Sequence, residues 1–148
     1  MTVRIYLDSN VFIDAFENDE KPVTRGRRLL EFIRCGEAVG IISELVVAEL
    51  LTKPLETGDE IMRDAYARLF DSSSTIETHP IDRHVLMRAA ELRARWKGLK
   101  MPDAIHVATA QIQACAGFVT SDKRLSTSLG AEAIPLDHST IDKVRALS

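Results

Sequence analysis

The sequence predicts an α/β fold, a three-layer α/β/α sandwich with a central parallel sheet of four to five strands. Three observations predict it. Short runs of β-formers alternate with helical patterns along the whole chain, which implies parallel strands joined by crossover helices. The run Val39-Gly40-Ile41-Ile42 is unbroken by polar residues, as in a strand covered on both faces. No internal repeat, low-complexity tract or linker divides the 148 residues, so 1–148 reads as one domain, long enough to bury about two-thirds of its unfolded surface.

The first strand is Val3-Arg4-Ile5-Tyr6-Leu7, where apolar positions alternate, and it runs into an acid and two turn formers, Asp8-Ser9-Asn10. Asn10 reads as the cap of a short apolar helix over 11–16, which the polar stretch 17–22 ends. Leu29, Leu30, Phe32 and Ile33 form the stripe of a helix over 23–35, with a basic face of Arg25, Arg27, Arg28 and Arg34 and Gly36 as its stop. After the second strand, over 39–42, Ser43 caps a helix over 44–53 that Pro54 is expected to end. Val46, Val47, Leu50 and Leu51 predict that this helix is largely buried, so Glu49 within it needs a reason.

Asp59 caps a helix through Met62, Ala65, Tyr66, Leu69 and Phe70 that ends at Ser72-Ser73-Ser74, and a third strand follows over 75–79, closed by Pro80. Asp82 caps the longest helix, whose stripe is Val85, Ala89, Leu92 and Trp96 and whose stop is Gly98. Pro102 suits the first turn of the next helix, which places Asp103 there too and runs to Gly117. Phe118-Val119-Thr120 is the fourth strand, ending at Ser121-Asp122. A short helix over 123–127, an edge strand over 133–136 that tolerates Pro135, and a final helix over 140–147 complete the chain.

Composition narrows the class. With 45% hydrophobic and 28% charged residues the chain is neither disordered nor fibrous. Cys35 and Cys115 fit no metal spacing and read as reduced, buried thiols. No apolar run approaches the ~20 residues of a membrane span, and the first residues form a strand rather than a charged and then apolar leader, so a cytoplasmic protein without membrane contact is expected. The net charge of −3 does not suggest a basic nucleic-acid binder. If four acids surrounded a metal, however, the remaining charges would nearly balance, and basic residues could line the rim.

Topology brings such acids together. A helix following a parallel strand begins at the strand's carboxyl edge, and a helix preceding one begins there too. Asp8 and Asp122 end their strands, Asp103 opens the helix before the fourth, and Glu49 lies in the helix after the second. All four can reach one edge, where open α/β sheets bind ligands. Each pair of carboxylates at ~4 Å costs about 1 kcal/mol in water and about 4 at an effective dielectric of 20. A hard divalent cation, Mg²⁺ or Mn²⁺, offsets that repulsion, and the chemistry it best supports is metal-assisted phosphodiester hydrolysis.

The other polar residues carry weaker signals. His106 lies one turn beyond Asp103 but reads as packed or exposed rather than catalytic, and His79, His84 and His138 share no zinc spacing. Ser9 lacks a G-x-S-x-G turn, and neither glycine-rich nucleotide motif is present. A phosphatase or phosphotransfer domain with Asp8 as nucleophile is the rival enzyme, disfavoured by Asn10 where a second acid would stand. A receiver-type domain would want a phosphoacceptor Asp where the third strand instead ends at His79-Pro80.

Four blocks carry a further signal: Tyr6-Leu7-Asp8-Ser9-Asn10, Ser43-Glu44-Leu45-Val46-Val47-Ala48-Glu49-Leu50, Met101-Pro102-Asp103-Ala104-Ile105-His106-Val107-Ala108-Thr109-Ala110 and Val119-Thr120-Ser121-Asp122-Lys123-Arg124-Leu125. In this order the chain resembles the PIN-domain nucleases, and among them the VapC-type toxins of toxin–antitoxin pairs. The resemblance implies a Mg²⁺- or Mn²⁺-dependent endoribonuclease with Asp8, Glu49, Asp103 and Asp122 as its acidic quartet. It implies polar supporting groups at Ser9 or Asn10 and at Thr120 or Ser121, a homodimer, an RNA substrate and a cognate antitoxin. A PIN fold that only binds RNA or protein is the remaining alternative. From the residues alone, Ser9 and Asn10 either orient the site or merely begin the next helix.

Overall fold

The computed structural model describes residues 2–71, 75–127 and 131–148. Five parallel strands, β1 (Val3–Leu7), β2 (Ala38–Ser43), β3 (Ile76–His79), β4 (Gly117–Thr120) and β5 (Glu132–Pro135), form one sheet in the order β3-β2-β1-β4-β5. The first strand is therefore central, with Tyr6 in register with Ile41 on one side and Phe118 on the other.

Strand alternation divides the core. Ile5 and Leu7 point to one face, where they join Val11, Phe12, Leu29, Ile33, Val46, Leu50, Tyr66 and Val144. These come from helices α1 (Ser9–Glu17), α2 (Arg25–Arg34), α3 (Glu44–Thr57), α4 (Glu60–Asp71) and α7 (Thr140–Arg145). Tyr6 points to the other face, with Ile41, Phe118 and the inner stripes of α5 (Arg83–Arg95) and α6 (Met101–Ile112). The fold is the expected three-layer α/β/α sandwich.

On the Tyr6 face, Arg4 reaches across the sheet to Glu77 at 3.1 Å and donates through Nε to the Gln113 carbonyl, tying β1 to β3 and to the end of α6. On the opposite face, α1 and α2 cross at Gly26. A Cβ there would lie 2.4 Å from the Val11 carbonyl oxygen, so only glycine permits the approach.

Several local expectations are corrected. Helix α1 begins at Ser9, capped by Asp8 rather than Asn10, because the Asp8 carboxylate accepts the Ser9 N–H. Helix α3 continues past Pro54 to Thr57. Pro54 falls in its last turn, is buried against the core, and its carbonyl accepts from Gly58, which stops the helix in the left-handed conformation. Nor is α3 largely buried: Val46, Leu50 and Pro54 are inside, whereas Glu49 is exposed. Trp96 is not core but the residue that ends α5, 38% exposed. Cys35 is exposed at the end of α2 and only Cys115 is buried. Helix α6 stops at Ile112, leaving Gly117 to open β4. The segment 123–127 is a 3-10 helix. The expected end of α4 at Ser72-Ser73-Ser74 lies outside the described residues.

Candidate active site

The carboxyl edge of β1 and β4 gathers the acids. Asp8 follows β1 and is 8% exposed. Its Oδ1 accepts the Ser9 N–H at 2.8 Å, while Oδ2 accepts the Thr120 hydroxyl at 2.7 Å and the Asn10 amide at 3.3 Å. The Thr120 hydroxyl also accepts the Asp122 N–H at 3.0 Å, so the end of β4 is laced to the end of β1. Asn10 Oδ1 accepts the Ser121 N–H at 3.4 Å. Of the four expected supporting residues, Asn10 and Thr120 act through side chains, whereas Ser9 and Ser121 enter these bonds by their backbone N–H.

Asp103 sits in the first turn of α6, half-buried. Burial pushes its carboxyl above the usual range, and the neighbouring charges of Asp122 and Asp8 push it further. Asp103 thus lies within the field of both other aspartates. Asp122, by contrast, is held below its usual range by Arg124, whose guanidinium bonds both its oxygens and whose N–H adds a third contact.

Glu49 projects from α3 toward His106 of α6. Its Oε1 lies 2.8 Å from His106 Nε2, and His106 Nδ1 lies 2.5 Å from the Tyr6 hydroxyl. Sequence reasoning passed over Tyr6 and His106 as site residues. The signals were present: Tyr6 lies two residues before Asp8 on the same side of β1, and His106 lies three after Asp103 on the same side of α6. For Arg124 only its adjacency to Asp122 pointed the way.

Could these residues hold a divalent cation? Among the described residues, no three His, Cys, Asp or Glu side chains are arranged around one metal position. Asp122 is turned to Arg124 and Glu49 to His106. The donor chemistry nevertheless fits a hard cation. The donors are carboxylates, and the Asp103 charge is opposed by two of the others with no hydrogen bond among its causes of relief, only the longer-range fields of His106 and Arg124.

The sequence profile described as PIN domain matches residues 5–127. The chain belongs to the PIN domain family. No curated protein matches this PIN domain significantly. Among solved structures it is similar to a chain of VapBC2 from Rickettsia felis bound to a promoter DNA fragment, with 19% identity and a TM-score of 0.72 over 91% of this chain and 100% of that one. A chain of the toxin–antitoxin complex from Klebsiella pneumoniae gives 21% identity and a TM-score of 0.69 over 90% of this chain and 98% of that one. VapC20 from Mycobacterium tuberculosis, a toxin cleaving the sarcin-ricin loop, gives 17% and 0.67 over 84% and 94%. At these identities the likeness establishes a shared PIN fold.

Proposed function

We propose that this PIN domain is a Mg²⁺- or Mn²⁺-dependent endoribonuclease and the toxin of a VapC-type toxin–antitoxin pair. The observation that carries the reading is the convergence of Asp8, Asp103 and Asp122 at one sheet edge, close enough that Asp8 and Asp122 together oppose the ionisation of Asp103. Arg124 offsets Asp122 and hydrogen bonds hold Asp8, so the charge of Asp103 is the one a cation would relieve.

Asp8, Asp103 and Asp122 would hold the cation, with Glu49 as a further ligand or as the group that orients the attacking water. When bound, the cation supplies a water of lowered pKa and neutralises charge on the leaving oxygen. The chain's own residues do the rest. Thr120 and Asn10 fix the rotamer of Asp8, and the amino-terminus of α6 favours negative charge at Asp103. The exposed Lys100 and Arg124 flank this edge in sequence and would meet substrate phosphates at the rim. The antitoxin partner rests on the likeness to toxin–antitoxin complexes, and a homodimer on the family resemblance.

The test incubates purified protein with total RNA in Mg²⁺, Mn²⁺ or chelator, beside Asp8→Asn. Cleavage that needs the metal and is lost in the variant supports the reading. Equal cleavage by the variant, or indifference to chelator, overturns it. Hydrolysis of small phosphate esters without RNA cleavage would favour the phosphatase alternative. Co-purification with the product of an adjacent short reading frame checks the antitoxin.

A further inference from the structure

Behind the acidic edge runs a buried polar chain that the four acids do not explain. Tyr6 is 0% and His106 2% exposed. The Tyr6 ring stacks on Phe118 at 4.8 Å and meets the His106 ring edge-on at 5.7 Å, so neither is free to turn. The Ser43 N–H donates to the Tyr6 oxygen at 3.1 Å, which leaves the phenol one proton to give. When the imidazole is neutral, that proton goes to His106 Nδ1, so the imidazole proton sits on Nε2 and is donated to Glu49 Oε1. The tautomer follows from counting donors and acceptors.

We infer that His106, backed by Tyr6 and the Ser43 amide, is a positioning residue that fixes the Glu49 carboxylate at the active site. This deepens the nuclease reading and rests on it. An exposed glutamate on a helix needs no partner, whereas burying a phenol and an imidazole costs free energy unless every polar atom is paired. Here the pairing runs in one direction and ends on the one quartet member whose own helix leaves it exposed. Ser43 also closes the circuit, because its hydroxyl caps α3, the helix that carries Glu49. The bond takes Oε1 and leaves Oε2 for a ligand or a water.

The test is a double-mutant cycle read on Mn²⁺ affinity by calorimetry and on RNA cleavage, using His106→Leu and Glu49→Gln in the full chain. His106→Leu is expected to weaken Mn²⁺ binding or cleavage about 10–100-fold. In the Glu49→Gln background it should cost nothing further, because the histidine acts through the glutamate. Equal losses in both backgrounds would make His106 merely structural and overturn the inference. Tyr6→Phe, which removes only a hydroxyl, serves should His106→Leu not fold. It is expected to lower affinity less and to replace the single Nε2–H tautomer by a mixture in ¹⁵N NMR spectra. An unchanged tautomer and affinity in Tyr6→Phe would equally overturn the inference. Wild-type protein that neither binds Mn²⁺ nor cleaves RNA would instead sink the nuclease reading itself.

Discussion

Arg124 grips Asp122 through two side-chain contacts, Nε to Oδ1 at 3.0 Å and Nη2 to Oδ2 at 2.8 Å. The arginine is 75% exposed, so the pair adds little to stability. Its effect falls on the acid, whose oxygens it occupies and whose charge it offsets. Arg124→Ala should therefore tighten Mn²⁺ binding while leaving the melting temperature nearly unchanged. Calorimetric titration of both proteins decides it, and equal or weaker affinity in the variant would show that Arg124 does not compete.

Asp103 is predicted to trade stability for function. Its folded pKa lies above its unfolded one, so the folded chain binds more protons between the two values. The stability that protonation confers is complete below the unfolded pKa and lost as pH rises through the folded pKa. Wherever the folded carboxyl is ionised, the wild type carries the penalty. Asp103→Asn should melt higher at pH 7, with the difference vanishing in acid. Saturating Mn²⁺ should reverse the order, since a ligand at 100 times its dissociation constant adds about 2.7 kcal/mol to the protein that binds it. Thermal melts across pH, with and without Mn²⁺, check both halves.

Glu77 behaves in the opposite sense. Arg4 and then His79, both bonded to it, hold its carboxyl below the usual range. A depressed carboxyl stabilises above its unfolded pKa, and the contribution is lost as pH falls through the folded one. Glu77 is more than a third exposed, so solvent screens the pair. Glu77→Gln should cost about 0.2–1 kcal/mol at pH 7 and flatten the loss of stability between pH 7 and the acid limb, as read from urea midpoints.

Gly26→Ala should destabilise by about 1–3 kcal/mol, the range for overpacking a tight contact. The added carbon would meet the Val11 carbonyl oxygen at 2.4 Å and the Ala15 nitrogen at 2.9 Å, both backbone atoms that cannot swing aside. A urea midpoint equal to that of the wild type would mean that α1 and α2 can separate without cost.

The sheet and the places of three acids in it are legible because they rest on local pattern and topology: β-formers ending on Asp8, a proline placing Asp103 in a first turn, an apolar strand before Asp122. What escaped the sequence depends on contacts between distant residues. Pro54 looks like a stop in any window, yet burial against the core carries α3 one turn further. Trp96 keeps helical spacing with Leu92, but α5 ends at Arg95 and leaves it at the surface. Asn10 reads as a cap in the sequence, whereas its amide serves Asp8 and Thr120, the latter 110 residues away. Tyr6 and His106 are 100 residues apart, and nothing in either neighbourhood announces that one hydroxyl answers one ring nitrogen.

The central place of β1 also sets the order in which this chain becomes chemically competent. Its partners are residues 38–41 on one side and 117–119 on the other. During synthesis β1, β2 and α3 emerge first, while Asp103, the Thr120 hydroxyl that holds Asp8, and Asp122 emerge last. A nascent chain therefore carries Asp8 beside an open strand edge, with no assembled acidic cluster. Fragments that stop before α6 should lack the grouped aspartates, which come together only once residues 103–122 have left the ribosome.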